Sequence, residues 1–171
     1  DLKNIEKNNI EELKFFNEKL SNVENEKLSE EYLPKNLEEF NSIELVNGIV
    51  KKINLKFEDM NSIKIDIIKN YETSFSENNL VQLNNALYFE NLNVAVKQNY
   101  SFKKPLVLFN YFKNNIYSTN INQKINIKLE NNSTLRLINI FCEKSNSNFI
   151  NFYNNYHLCE NSVLKNYIID A

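Results

Sequence analysis

The chain has 171 residues, of which 42% are apolar and 25% are charged, and its formal net charge is -2. This balance is typical of a folded soluble protein. No Lys/Arg block of the kind that binds nucleic acid stands out, and no apolar run approaches the roughly 20 residues of a membrane helix. The sequence therefore predicts neither a nucleic-acid partner nor a membrane partner.

Cysteine usage points to a reducing compartment. The chain has two cysteines, Cys142 and Cys159, whereas a small secreted domain usually carries a larger disulfide framework. The first residues, DLKNIEKNNIEELK, are charged and amphipathic, unlike a secretion signal. We therefore expect a cytoplasmic protein, with a plastid-type organelle as the alternative.

Residues 1–44 are predicted to form a helical N-terminal segment. Apolar residues recur near helical spacing among Glu and Lys side chains, and Pro34 is expected to break or restart the helix. The apolar positions that carry this pattern are Ile5, Leu13, Phe16 and Leu20.

Residues 45–91 are predicted to lead into a β-rich region. Asn47-Gly48 lies between apolar pairs, which is the strongest short signal for a β-hairpin. Residues 63–67 alternate isoleucine with charged side chains, as a half-buried strand does. Residues 76–89 are predicted as a helix capped by Ser76, because leucines follow three and four residues apart.

Residues 92–171 carry an internal repeat. Short runs rich in β-branched and aromatic residues, separated by Asn, Ser and Lys, predict strands throughout. LENNSTLRLINI aligns without gaps on LCENSVLKNYII at an offset of 158 − 129 = 29 residues. Self-similarity at a fixed period indicates stacked units. We therefore predict a mainly β protein in which these residues form the first rungs of a right-handed parallel β-helix, with Leu135 stacked on Leu164.

The scarcity of glycine makes a separate prediction about turns. Gly48 is the one glycine in the chain, so most turns that need a positive φ must use another residue. Asparagine tolerates the left-handed region best after glycine. We therefore expect asparagines at these corners.

Residues 83–109 have the sequence LNNALYFENLNVAVKQNYSFKKPLVLF. This stretch contains, in order, a predicted helix, a turn, an alternating strand and a Pro-Leu pair. An LVNGIV hairpin precedes this stretch near Leu45, and residues 126–130 and 155–164 repeat a pattern of Glu, Asn and Leu. This succession resembles the SufB/SufD family of iron–sulfur cluster assembly scaffolds, and the charged N-terminal segment fits its SufD type. The matching positions in the long stretch are Leu83-Asn84, Ala86, Tyr88-Phe89, Glu90-Asn91, Leu92 to Val96 and Pro105-Leu106.

The resemblance implies a non-catalytic scaffold subunit in a SufB–SufC–SufD-like complex. In that family the SufC-type subunit hydrolyses ATP and the SufB-type subunit carries the main cluster-building site. The resemblance further implies that this chain alone binds no cofactor and that the iron–sulfur cluster belongs to the complex. Family members are much longer, so contacts with SufB-like and SufC-like subunits are expected mostly beyond residue 171.

Three side chains are candidate metal ligands. His157 and Cys159 form a His-x-Cys pair, and residues two apart in a strand point to the same face. Two donors do not close a tetrahedral zinc or iron site, and iron–sulfur clusters usually take four thiolates. Cys142 follows an apolar run and is predicted to be a buried structural thiol. We therefore expect no metal site within this chain.

The sequence also lacks the features of an enzyme. A single histidine, no G-x-S-x-G and a single glycine argue against nucleophilic catalysis and against a phosphate-binding loop. Two alternatives to the scaffold stay open: a carbohydrate-active or adhesive β-helix, and a generic β-rich interaction module. We also expect self-association through the exposed end of the predicted solenoid.

Overall fold

The computed structural model describes residues 37–69, 76–112, 120–143 and 149–170. Most of the predicted N-terminal helical segment lies outside these residues. Where the description begins, a short 3-10 helix at Leu37–Glu39 is followed at once by a strand that starts at Asn41. The β-rich part of the chain therefore begins a few residues before the Leu45 start that the sequence predicts.

Nine strands and one α-helix make up the described chain. Most strands coincide with the apolar runs in the sequence, and the single helix falls inside the predicted residues 76–89. In chain order the elements are β1 (Asn41–Val46), β2 (Ile49–Asn54), β3 (Ile63–Ile68), α1 (Asn79–Leu87), β4 (Asn91–Val96), β5 (Leu106–Phe112), β6 (Asn120–Leu129), β7 (Thr134–Glu143), β8 (Phe149–Leu158) and β9 (Val163–Asp170).

The strands form two mixed sheets. Sheet A has the order β2-β1-β5-β7-β9, and sheet B has the order β3-β4-β6-β8. Within sheet A, β1, β5, β7 and β9 are parallel, and within sheet B, β4, β6 and β8 are parallel. The first edge strand of each sheet, β2 or β3, pairs antiparallel with its neighbour. From β4 onward the chain alternates between the two sheets. We use the word layer for a sheet B strand together with the sheet A strand that follows it in the chain.

The prediction of a right-handed parallel β-helix is wrong. The described strands make two open sheets, each mixed by an antiparallel edge strand, and they do not form a closed solenoid. The repeat itself reflects real pairing, because Leu135 lies opposite Leu164 and Leu129 lies opposite Leu158 at the 29-residue offset. A repeat period predicts which strands become neighbours. It does not predict whether the sheets close into a solenoid or how the first strands pair.

The main core fills the space between the sheets. Because successive strand residues point to opposite faces, every second residue of each strand enters this core. Sheet A contributes Ile43, Leu45, Leu106, Leu108, Leu135 and Leu137, and sheet B contributes Leu92, Val94, Val96, Ile125, Ile127 and Leu129. All of these side chains are buried, and burial of a leucine or isoleucine contributes about 1.5–3 kcal/mol each.

A second apolar cluster covers the outer face of sheet A. Phe109 points away from the main core because Leu108 points into it, and Phe109 is fully buried. Leu37 and Phe40, just before β1, pack in the same cluster. Its other members are Val46, Val107 and Tyr111, with Ile138, Ile140 and Cys142 partly buried beside them. Sheet A is therefore apolar on both faces.

Asparagine occupies the left-handed corners, as the glycine scarcity predicts. In the described residues every non-glycine position with positive φ is an asparagine: Asn47, Asn99, Asn132 and Asn161. Asn47 and Gly48 both have positive φ, at 49° and 82°, which gives the β1–β2 hairpin its predicted tight turn. Asn132 and Asn161 occupy the same corner of successive layers and are equivalent in the 29-residue repeat.

Helix α1 begins later than the sequence predicts. Asn78, not Ser76, is the N-cap, and its Oδ1 accepts from the backbone N–H groups of Leu80 and Val81. Ser76 acts one step earlier, because its Oγ accepts from the N–H of Asn78. Both residue types are good caps, so composition alone did not separate them.

Candidate functional site

His157 and Cys159 do not share the geometry that the sequence predicts. Tyr156 packs on the main core, so His157 points outward from sheet B, where it lies beside Lys128 and is exposed. Cys159 lies past the end of β8, in a turn where Ser162 donates to its carbonyl oxygen from both N–H and Oγ. The alternation rule applies within a strand, so it does not place these two side chains on one face.

Cys142 lies far from the other two candidates. The N–H of Cys159 donates to the carbonyl oxygen of Leu129, which places Cys159 at the turn that leads into β7. Cys142 lies 142 − 134 = 8 residues further along β7 from Thr134, or about 26 Å at the usual strand rise of about 3.3 Å per residue. Among the described residues, no group of three or more His, Cys, Asp or Glu side chains could hold a metal ion.

Helix α1 is attached to sheet B through one buried asparagine. Nδ2 of Asn84 donates to the carbonyl oxygens of Gln123 in β6 (3.0 Å) and Asn151 in β8 (2.8 Å). In return, Nδ2 of Asn151 donates to the carbonyl oxygen of Leu80 (2.9 Å). A helical periodicity analysis treats Asn84 as a polar surface position, so this contact was missed. The signal that could reveal it is an asparagine within the leucine stripe.

Glu58 holds two loops together near the first edges of the sheets. Its carboxylate accepts from Tyr100 Oη (2.7 Å), from Asn41 Nδ2 (2.7 Å) and from the backbone N–H groups of Lys103 and Lys104. Desolvation raises the pKa of Glu58, but these hydrogen bonds outweigh it and the pKa is lowered from its ordinary value. The carboxylate therefore stays charged and bridges the β2–β3 loop to the β4–β5 loop.

Asparagine side chains also connect neighbouring strands. Nδ2 of Asn126 donates to Oδ1 of both Asn91 and Asn93, at 2.8 Å each. Nδ2 of Asn139 donates to Oδ1 of Asn166 at 2.7 Å. Asn132 donates to Asn99 and Asn151 donates to Asn122, each at 3.1 Å. Stacked amides of this kind reinforce parallel pairing in the way that asparagine ladders reinforce cross-β structures.

The clearest candidate binding site is the layer formed by β8 and β9. Each is an edge strand of its sheet among the described residues. An edge strand carries backbone N–H and C=O groups that can pair with another strand. The layer also exposes large apolar side chains: Phe152, Leu158, Val163, Tyr167, Ile168 and Ile169, with Ile168 at 66%. The chemistry that this surface offers is strand pairing and apolar contact with another protein.

No helix in the described part of the chain is long and apolar enough to cross a membrane. A scan against protein-family models and a search of curated proteins found no match to this chain. Its function is therefore inferred from its own residues and their geometry.

Proposed function

We propose that the chain is a non-catalytic scaffold subunit for iron–sulfur cluster assembly that acts in a SufB–SufC–SufD-like complex. The cluster is cargo of the complex, and this chain holds none by itself. The site of action is the cytoplasm, with a plastid-type organelle as the alternative. The resemblance of residues 83–109 and of the LVNGIV hairpin to the SufB/SufD family supports this proposal.

One structural observation carries the proposal: the two stretches that resemble the family bind each other. The N–H of Val50 in the hairpin donates to Oε2 of Glu90 at 2.8 Å, and Glu90 is buried. Strand β1 of the hairpin also pairs in parallel with β5, with Leu45 opposite Asn110. Two sequence features that are far apart in the chain thus build one structural unit, as expected if they derive from one ancestral motif.

The β8–β9 layer supports a scaffold role in a more general way. A scaffold acts by holding other proteins, and this layer offers two strand edges and exposed apolar side chains. The same observation favours one further function, a β-rich interaction module whose partners lie outside iron–sulfur assembly. The two functions differ in the partners bound, not in the surface used.

The test is depletion of the protein in its native cells, with the activities of several iron–sulfur enzymes measured beside those of iron-free enzymes. We expect the iron–sulfur enzymes to lose activity selectively. Affinity purification from the same cells should recover an ATPase of the SufC type. If depletion leaves iron–sulfur enzymes unchanged and other proteins are recovered, the scaffold proposal is wrong and the interaction module is favoured.

A further inference from the structure

We infer that sheet A carries a docking surface for an acidic segment of a partner protein. The surface runs along the side of the sheet where its parallel strands begin, and we call it the basic strip. The inference goes beyond the proposed function, because it concerns the chemistry of the partner and does not require iron–sulfur assembly. The strip consists of five exposed cations: Lys56, Lys103, Lys104, Arg136 and Lys165.

The first part of the basic strip is formed by two loops that are distant in sequence. Lys56 lies in the β2–β3 loop and Lys104 lies in the β4–β5 loop. Their Nζ atoms lie 5.0 Å and 5.5 Å from the centroid of the Phe57 ring, so both amines gather around one aromatic side chain. Cation–π contacts of this kind hold the two lysines near each other.

The second part of the basic strip continues across sheet A. Leu135 points into the main core, so Arg136 points outward from the sheet. Nη2 of Arg136 donates to the carbonyl oxygen of Lys103 at 3.2 Å. Arg136 also lies directly opposite Lys165 in β9, and directly opposite residues share a face. The strip is therefore continuous from the β2–β3 loop to β9.

The cations of the basic strip lack the carboxylate partners that lysines have elsewhere in the fold. At other positions, lysine Nζ atoms lie between 2.6 and 3.9 Å from a carboxylate oxygen. Among the described residues, none of the five strip cations makes an ion pair of this kind. The charge of the strip therefore remains available to a ligand. The paired residues elsewhere are Lys52–Glu44, Lys64–Asp66, Lys69–Glu90 and Lys128–Glu130.

Two carboxylates interact with the basic strip, and both already have hydrogen-bond donors. Glu58 accepts from the backbone N–H groups of Lys103 and Lys104. Asp59 accepts from the N–H of Asn61, which lowers the pKa of Asp59, and the positive charge of Lys103 lowers it further. The five cations exceed these two carboxylates by 5 − 2 = 3 charges. The strip therefore keeps a net positive charge, although the whole chain has a net charge of -2.

The basic strip is held in place by contacts within the fold. The carboxylate of Glu58 fixes the backbone at Lys103 and Lys104, and the carbonyl oxygen of Lys103 orients the guanidinium of Arg136. Groups that are already positioned lose less conformational entropy when a ligand binds. An extended segment can therefore bind here without a prior rearrangement of the loops.

An acidic protein segment fits the basic strip better than a nucleic acid does. Carboxylates form charge-assisted hydrogen bonds with lysine and arginine. Val163 and Tyr167 share the face of Lys165 and are exposed, so they offer apolar contacts that peptide side chains can use. Domains that bind nucleic acid through a basic stripe are usually basic overall, whereas the net charge of this chain is -2.

Binding of a fluorescent oligoglutamate peptide to the purified chain, measured by fluorescence anisotropy, tests the inference. We expect saturable binding at low ionic strength. Lys103→Gln combined with Lys165→Gln should raise the dissociation constant at least about fivefold, because it removes two unpaired cations from the strip. Lys64→Gln combined with Lys128→Gln is the matched control, since it removes the same charge from the outer face of sheet B, and it should bind like the wild type. Circular dichroism checks that both variants fold.

Salt and a second probe test the chemistry of the ligand. Raising the ionic strength from about 0.01 M to about 0.1 M, which shortens the screening length from about 30 Å to about 10 Å, should weaken peptide binding. Because the exposed Tyr167 also suits base stacking, a single-stranded oligothymidine of equal charge is the second probe. The inference is overturned if the peptide does not bind, if both double variants weaken binding equally, or if the oligonucleotide binds at least about tenfold more tightly than the peptide.

Discussion

The two ends of the paired sheets are built differently. At the first end, β2 and β3 are six-residue strands that pair antiparallel with their neighbours, and the β1–β2 register shifts between Glu44 and Leu45. Charged side chains mark both strands: Lys51 and Lys52 in β2, Lys64 and Asp66 in β3. At the second end, β8 and β9 are longer, parallel and largely uncharged, with exposed apolar side chains.

This difference shows that edge protection is local and does not follow from the fold. Both ends belong to the same two sheets, yet the first carries a bulge, four charged strand residues and the Glu58 contact between loops. Among the described residues the second end carries two charged strand residues, Lys165 and Asp170, and the register of its strands has no shift. A protein keeps an open edge at some risk of aggregation. The two ends should therefore differ in how much their residues contribute to stability, and four tests measure this contrast.

The largest expected effect compares equivalent leucines in two layers. Leu135 is fully buried and Leu164 is partly buried, although they lie opposite each other in β7 and β9. Leu135→Ala should lower the free energy of unfolding by about 2–5 kcal/mol, because it leaves a cavity in the core. Leu164→Ala should lower it by only about 1 kcal/mol. Urea denaturation measures both, and equal losses would show that the outer layer is packed as tightly as the inner one.

Glu58 provides the next test, because it holds loops at the protected end. Glu58→Gln should lower the free energy of unfolding at neutral pH by about 1–2 kcal/mol, a modest value because the carboxylate is partly exposed. Since the folded pKa lies below the ordinary value, this stability is present above the unfolded pKa and is lost as the pH falls through the folded pKa.

A series of denaturation curves between neutral and acidic pH checks this prediction. The wild type and Glu58→Gln should converge in stability at low pH. Glu160→Gln, at an exposed turn position, is the matched control and should follow the wild type throughout. If the difference in free energy of unfolding between the wild type and Glu58→Gln stayed constant down to acidic pH, the stabilising role of the charged carboxylate would be contradicted.

A smaller effect is expected at the left-handed corners. Asn132 has a φ of 57°, so Asn132→Ala should cost about 1–2 kcal/mol, whereas Asn132→Gly keeps the conformation and should cost less than about 1 kcal/mol. Asn161 has the same conformation in the outer layer, and Asn132 also donates to Asn99. Thermal unfolding should therefore rank Asn132→Ala below Asn161→Ala in stability. The reverse order would mean that the amide contact contributes nothing.

The smallest effect is expected from the charges at the protected end. Nζ of Lys64 lies 2.6 Å from Oδ2 of Asp66, but both side chains are substantially exposed. Lys64→Ala should change the free energy of unfolding by less than about 1 kcal/mol, and the difference should shrink as salt is added. A large, salt-independent loss would show that this pair stabilises the fold and does more than protect the edge of β3.

Local patterns predicted much of the architecture. Asn47-Gly48 predicted the hairpin, the alternating isoleucines predicted β3, and the 29-residue repeat predicted that β7 and β9 become neighbours. Each of these features is decided by a few consecutive residues or by a regular period. The number of faces that the strands enclose is decided by packing across the whole chain, and on this point the β-helix prediction failed.

The contacts that join distant parts of the chain could not be predicted from the sequence, for a similar reason. Glu58 bonds to residues more than 40 positions away, and Asn84 bonds to Asn151 across 67 positions. No local pattern distinguishes these side chains from the many other glutamates and asparagines. Conversely, His157 and Cys159 are close in sequence, but the end of β8 lies between them.

The asparagine corners have a consequence for how such a chain can be encoded. Glycine codons begin with guanines, whereas asparagine codons begin with adenines. A gene rich in adenine and thymine can therefore specify left-handed corners at Asn47, Asn99, Asn132 and Asn161 without the codons that glycine needs. The conformational penalty at each corner is smaller for asparagine than for other residues with a Cβ. Nucleotide composition can thus drift far in one direction while turns that depend on a positive φ persist in the protein.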